Sequence, residues 1–209
     1  MSLHQADALA LDNVFINCPF DDAYLPLFEA LIFTIYACQF RPRSALEVDD
    51  GSQTRLEKIY QIIGECRYGV HDLSRTELNP ETGLPRFNMP LELGIFLGAK
   101  RYGDDAQRQK RALLLDREPF RYQRCISDLA GADIQSHGND PDVAIRALRN
   151  WLANVSRRQL PGHAQLLRLH QAFREELPAI AAGLGFVGVS VPYTDFERIA
   201  SNWLVDAPA

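Results

Sequence analysis

Short apolar, β-branched runs alternate with helical apolar periodicity over most of this chain, and that alternation confines it to an α/β sheet with helices on both faces. Asn13–Asn17 (Asn-Val-Phe-Ile-Asn) reads as a buried first strand. In the turn Cys18-Pro19-Phe20-Asp21-Asp22, Asp21 or Asp22 is placed to cap a helix running to about Cys38, with Leu25, Phe28, Leu31, Ile32 and Ile35 at helical spacing. A second strand is predicted within Arg43–Val48, ended by Asp49-Asp50-Gly51-Ser52, and a second helix over about Thr54–Cys66 with Leu56, Ile59, Ile62 and Ile63 on one face. The third strand is Tyr68–Leu73, and the third helix runs from about Pro90 to Tyr102, with proline suited to a first turn. Strand four is Arg111–Leu115, a short fifth lies around Ala132–Gln135, and Asp140-Pro141 opens a helix striped by Ala144, Leu148, Trp151, Leu152 and Val155. Five strands with an early crossover fit a doubly wound, flavodoxin-like parallel sheet in the order 2-1-3-4-5.

Pro161-Gly162 marks a boundary, so the expected organisation is an α/β domain over residues 13–160 and a helical C-terminal extension over 161–209. The extension holds helical patterns at His163–Ala182 and Thr194–Val205, the second opening with the capping-box pattern Thr194-Asp195-Phe196-Glu197. Leu166, Leu169, Phe173, Leu177 and Ile180 give it an apolar face, to pack on the domain or form a contact between copies. A homodimer or larger assembly through the extension or the Tyr24–Cys38 helix is the expectation.

The 209 residues, 46% hydrophobic and 23% charged, suit one domain with a real core. A net charge of −5 argues against a nucleic-acid-binding domain, which carries a basic stripe. No apolar run approaches the ~20 residues of a membrane span. Met1 to Asp12 lack a basic start followed by an apolar block, so the sequence predicts no secretory signal and a cytoplasmic location. Cys18, Cys38, Cys66 and Cys125 form no CxxC pair and read as free thiols, mostly buried as small hydrophobes.

Candidate chemistry concentrates where strand three ends. In the assumed strand order the switch point falls between strands one and three, where open α/β sheets bind ligands, bringing Asn17 and Cys18 beside Asp72 and Ser74. Glu92, taken to lie in the opening turn of helix three among Leu91, Leu93, Ile95, Phe96 and Leu97, faces the same crevice, and a buried acid there needs a partner or a task. Two carboxylates facing one crevice suggest chemistry at a sugar carbon. Against this, Asp72 serves equally as an Asx-turn, and Ser74 with Arg75 as an ordinary loop. Phe20 and Tyr24 offer rings for stacking or for the core. His71, one residue from Asp72, points to the opposite sheet face and reads as packed.

Other signals lack context. Gly183-Leu-Gly185-Phe-Val-Gly188 matches G-x-G-x-x-G but follows a helix, and Pro192 interrupts what comes next. His163 and His170 have no cysteines or acids at metal spacing, so no metal is expected. Arg101, Arg108, Lys110 and Arg111 flank a loop as solvated charges.

Asp72-Leu73-Ser74 followed by Asn88-Met89-x-x-Glu92-Leu93-Gly94 resembles the D-L-S/T … N-x-x-x-E-L-G pattern of nucleoside 2-deoxyribosyltransferase-like proteins and bacterial Toll/interleukin-receptor-like (TIR-like) domains. Val14-Phe15-Ile16-Asn17 with Pro19-Phe20 is similar to their first strand and loop, and the likeness covers about Asn13–Val155. The chain departs from the transferases in its long loop Arg75–Phe87, and from TIR domains in lacking Ser-x-Trp-Cys before the glutamate. The resemblance implies that Glu92 is catalytic at an N-glycosidic bond and that Asp72 lies in the pocket and assists. Asn17, Ser74, Phe20 and Asn88 are then the substrate-binding candidates. The implied substrate is a nucleotide or nucleoside, with NAD possible as substrate rather than cofactor and no cofactor required. The other class open to the same fold is a non-catalytic nucleotide-sensing or self-assembling module.

Overall fold

The computed structural model describes residues 12–47, 50–78, 83–188 and 190–207. Most of the N-terminal stretch read for a signal, and the Val48-Asp49 end of the expected second strand and turn, lie outside them. So does part of the Arg75–Phe87 loop.

Five parallel strands, β1 (Asn13–Asn17), β2 (Arg41–Ser44), β3 (Tyr68–Asp72), β4 (Arg111–Asp116) and β5 (Ile134–Ser136), form one sheet in the order β2-β1-β3-β4-β5. This is the flavodoxin-like order expected from the alternation. Register places Asn17 opposite His71, Asp72 opposite Leu115 and Asp116 opposite Ser136, so the polar strand ends line one edge.

Side-chain alternation builds two cores. Val14, Ile16, Val70, Leu113 and Leu115 face α1 (Leu25–Ala37) and α5 (Pro141–Ser156). On the other face Phe15 meets Ile59, Ile62 and Ile63 of α2 (Arg55–Glu65) and Phe96 of α3 (Asn88–Tyr102). A short helix, α4 (Asp105–Arg108), precedes β4. At α2, Thr54 and Glu57 form a reciprocal capping box, the Thr54 hydroxyl accepting from Glu57 N at 3.3 Å and the Glu57 carboxylate from Thr54 N at 2.8 Å. Asp140 caps α5 through Asp142 N at 2.9 Å, ahead of Pro141.

The extension, α6 (His163–Gly183) and α7 (Tyr193–Asp206), lies outside α1 as a further layer. A helix apolar on every side is normally buried on every side. In α1, Leu31, Ile32 and Ile35 are fully buried, while Phe33 stacks on Phe173 of α6 at 5.1 Å and meets Trp203 of α7 at 6.1 Å. The Tyr24–Cys38 helix is therefore sandwiched between sheet and extension, with most of its apolar surface used within the chain.

Four local expectations change. The N-cap of α1 is Tyr24, without a side-chain cap; Asp21 instead accepts from Tyr24 N, at 3.2 Å, in the turn before it. The N-cap of α7 is Pro192, so Thr194 and Glu197 form no capping box; Glu197 accepts from the hydroxyls of Tyr193 and Tyr36. Strand β2 begins earlier, at Arg41, and carries Pro42, which an edge strand tolerates because one side needs no ladder donors. Lys110 is 1% exposed rather than solvated: its ammonium donates to the carbonyls of Ile63 and Cys66 at the C-terminal end of α2 and lies 4.8 Å from the Phe96 ring centre. Of the cysteines, Cys18, Cys38 and Cys66 are buried free thiols and Cys125 is exposed. Among the described residues no helix is long and apolar enough to cross a membrane.

Gly69 in β3 shows how closely the sheet and α3 approach. A Cβ there would stand 2.7 Å from His71 Nε2 and 2.8 Å from Phe96. Both neighbours are fully buried, so Gly69→Ala is expected to destabilise the fold by about 1–3 kcal/mol through overpacking, read as a lower urea midpoint with an unchanged slope.

Candidate active site

The carboxyl ends of β1 and β3 and the loops that leave them carry Asn17, Phe20, Asp72 and Ser74, while Asn88 and Glu92 lie on α3. Asp72 ends β3 fully buried. One of its oxygens accepts from the Tyr24 hydroxyl at 2.6 Å and from His137 Nε2 at 2.8 Å; the other accepts from Ser74 N at 2.7 Å. Burial alone would push this carboxyl up, but the bonds from His137, Ser74 and Tyr24 outweigh it and hold Asp72 below its ordinary value.

Asn139 N donates to His137 Nδ1 at 3.0 Å, which assigns the proton to Nε2. That nitrogen faces Asp72, with Ser74 Oγ at 3.1 Å. Serine and aspartate thus meet the same ring nitrogen, whereas a nucleophile-activating triad uses opposite ones. Ser74, His137 and Asp72 are all 0–1% exposed. They form a buried clasp joining the ends of β3 and β5, and Tyr24 ties that clasp to the start of α1.

Asn17 makes a second clasp. Its amide nitrogen donates to Met89 O at 2.8 Å and faces His71 Nδ1 at 3.1 Å, spending both hydrogens and pinning the first turn of α3 to the end of β1. His71 is the packed histidine expected: it contacts Phe15 and Phe96, and burial drops it to about 3, so it stays neutral.

Glu92 stands outside these clasps. It is 5% exposed and accepts no hydrogen bond among the described residues. The helix starts at Asn88, so Glu92 lies in the second turn rather than the opening one, away from the N-terminal dipole. The helix is also only half buried: Met89, Glu92, Leu93 and Phe96 face inward while Leu91 is 54% exposed. Burial raises the Glu92 carboxyl to about 7, opposed by the charge of Arg55. Burial pushes the Cys18 thiol up, and the charges of Asp72, Glu92 and Asp21 add to that.

Around this centre, Arg75 holds Asp21 through both oxygens, at 3.1 and 3.0 Å, and Arg86 adds a contact at 3.3 Å. Phe20 is 38% exposed, with the Arg55 guanidinium 5.8 Å from its ring centre. Asn88 is exposed on the first turn of α3. Among the described residues no group of His, Cys, Asp and Glu could hold a metal ion.

Sequence reasoning missed His137, Arg55 and a further carboxylate, Asp116, at the end of β4. Asp116 is fully buried; one oxygen takes Arg121 Nε at 2.9 Å and Arg117 N at 2.7 Å, while Oδ2 has no partner among the described residues. The available signal was an acid ending an apolar strand, the same as for Asp72. His137 follows a weak strand and gave none. No protein-family model, no curated protein and no solved structure matches this chain.

Proposed function

We propose that the protein cleaves an N-glycosidic bond of a nucleotide or nucleoside, with the Glu92 carboxylate at the reacting sugar carbon. The observation that supports this most is a contrast of environments: Asp72, fully buried, is held ionised by three donors, whereas Glu92, 5% exposed, is left without one among the described residues. Two neighbouring acids whose affinities for a proton are pushed apart are the usual arrangement for acid–base and charge-stabilising work, and the charges of both Asp72 and Glu92 act on Cys18. A buried carboxylate with no partner is costly in the free protein and becomes favourable when positive charge develops beside it. Departure of a base from a sugar develops that charge, in an oxocarbenium-like transition state.

On this reading Glu92 stabilises or attacks the anomeric carbon, and Asp72 acts by fixing the frame through Tyr24 and His137. Asn17 positions the helix that carries Glu92, and Phe20 with Arg55 forms the entrance. The test is chromatographic: purified protein incubated with NAD, NADP and a panel of nucleosides and deoxynucleosides, with and without a free base as acceptor. Release or exchange of a base, lost in Glu92→Gln, is the expected result. Saturable binding with no product from any of them would instead support a nucleotide-sensing module.

A further inference from the structure

A cavity of about 230 Å³ lies between the β1–α1 turn, α1 and the segment that leads into α7. Phe20, Leu25, Phe28, Ile32, Tyr193 and Phe196 give it apolar walls. Three carboxylates line it: Asp21 and Glu29 are already engaged by Arg75 and Arg174, and Asp22 is exposed. Leu46, Pro192 and Tyr193 also line an adjoining cavity of about 440 Å³, and there the walls include Arg55, Lys58 and Glu47, the last paired with Arg43. Taken together, the two adjoining spaces fall within the roughly 300–1,000 Å³ that accommodates a small-molecule ligand, one half aromatic and the other carrying two cations and an acid already paired.

The aromatic half is held in place before any ligand arrives. The Tyr193 hydroxyl donates to Glu197 at 2.9 Å, and its ring stacks on Phe28 at 5.7 Å with a 17° tilt. Tyr193, Pro192 and Phe196 all belong to the extension, so the extension supplies a wall as well as a cover for α1.

We propose that the cleft between the C-terminal extension and the α/β domain binds a small ligand joining a planar aromatic ring to an anionic group. The ring occupies the space walled by Phe20, Phe28 and Tyr193, and the anion lies against Arg55 and Lys58. Arg55 links this cleft to the carboxylate site, because its guanidinium sits by Phe20 and its charge acts on Glu92. That the ligand is also the substrate rests on the glycosidase reading; that the cleft binds it does not.

Isothermal titration of the full chain with AMP, GMP, CMP, UMP and NAD tests this, with the matching nucleosides and ribose 5-phosphate as the two halves. At least one of the five is expected to bind in the micromolar range, and each half at least tenfold more weakly. Leu46 is 37% exposed and lines both spaces, so Leu46→Trp fills the cleft without entering the core. Leu46→Trp and Arg55→Ala should each weaken the best ligand tenfold or more at unchanged Tm. The proposal is overturned if none of the five binds below about a millimolar, or if both variants bind as the wild type does. Tight binding that depends on Leu46 and Arg55, with turnover unchanged in Glu92→Gln, would keep the cleft and remove the glycosidase. Turnover lost in Glu92→Gln, with binding indifferent to Leu46 and Arg55, would do the reverse.

Discussion

Glu92→Gln is expected to lose a hundredfold or more in turnover while making the protein more stable, an opposition that separates a functional carboxylate from a structural one. The rate loss is the scale on which a preorganised charge-stabilising group acts. The gain in stability follows from burial. Glu92 titrates near 4.5 in an unfolded chain and at about 7 in the folded one, so the native state holds the proton more tightly. Stability is then fully present below about pH 4.5, falls as pH rises to about 7, and stays level above that. Glutamine does not titrate, so its advantage opens across this window and reaches at most about 3 kcal/mol, several degrees in Tm. Activity should follow the same ionisation with the opposite sign: kcat/KM rises with pH through about 7 and then levels, because the working form is the carboxylate. Melting curves at pH 5 and pH 8, with a pH–rate profile, check both halves. A variant that melts lower at pH 8 would make Glu92 structural, and a rate that falls above pH 7 would make it a proton donor.

The fold was legible because most strands that set the order are runs of buried apolar residues, and β1 and β3 carry no competing signal. The exceptions have physical causes. β2 is Arg-Pro-Arg-Ser at an edge, where one ladder suffices and neither alternation nor β-branching is required, so apolarity pointed a few residues too late. β5 is three residues long and pairs only with β4. At the site, Asp72 and Glu92 stood out as acids in apolar surroundings, but nothing in the letters shows which acid is satisfied. That depends on Tyr24 and His137, which are 48 and 65 residues from Asp72 in sequence. The same limit explains Asn17: a polar residue at a strand end reads as a ligand contact, whereas both of its amide hydrogens are spent inside the protein.

Asp72→Asn is expected to act first on the fold and only through it on activity. The carboxylate satisfies three donors with two oxygens, and asparagine must turn its own NH2 toward at least one of them. Turning it toward Tyr24 and His137 sets donor against donor at His137, since the Tyr24 hydroxyl can rotate and accept but His137 cannot answer by shifting its proton because Nδ1 already accepts from Asn139 N. Turning it toward Ser74 N leaves that one buried N–H unpaired instead. One unsatisfied buried donor, with charge-assisted bonds made neutral, costs about 3 kcal/mol and on the order of 10 °C in Tm. The pH dependence identifies the cause. Because the folded Asp72 is held below its unfolded value near 3.8, its contribution is present above that pH and is lost as pH falls through the lower folded value. The stability gap between wild type and Asp72→Asn should therefore be wide at pH 7 and shrink at pH 3, measured by urea denaturation at both. A gap that stays constant would mean that the clasp depends on shape rather than charge. Tyr24→Phe then isolates one bond: it removes a single donor to the same oxygen, leaves the charge in place, and should cost about half as much.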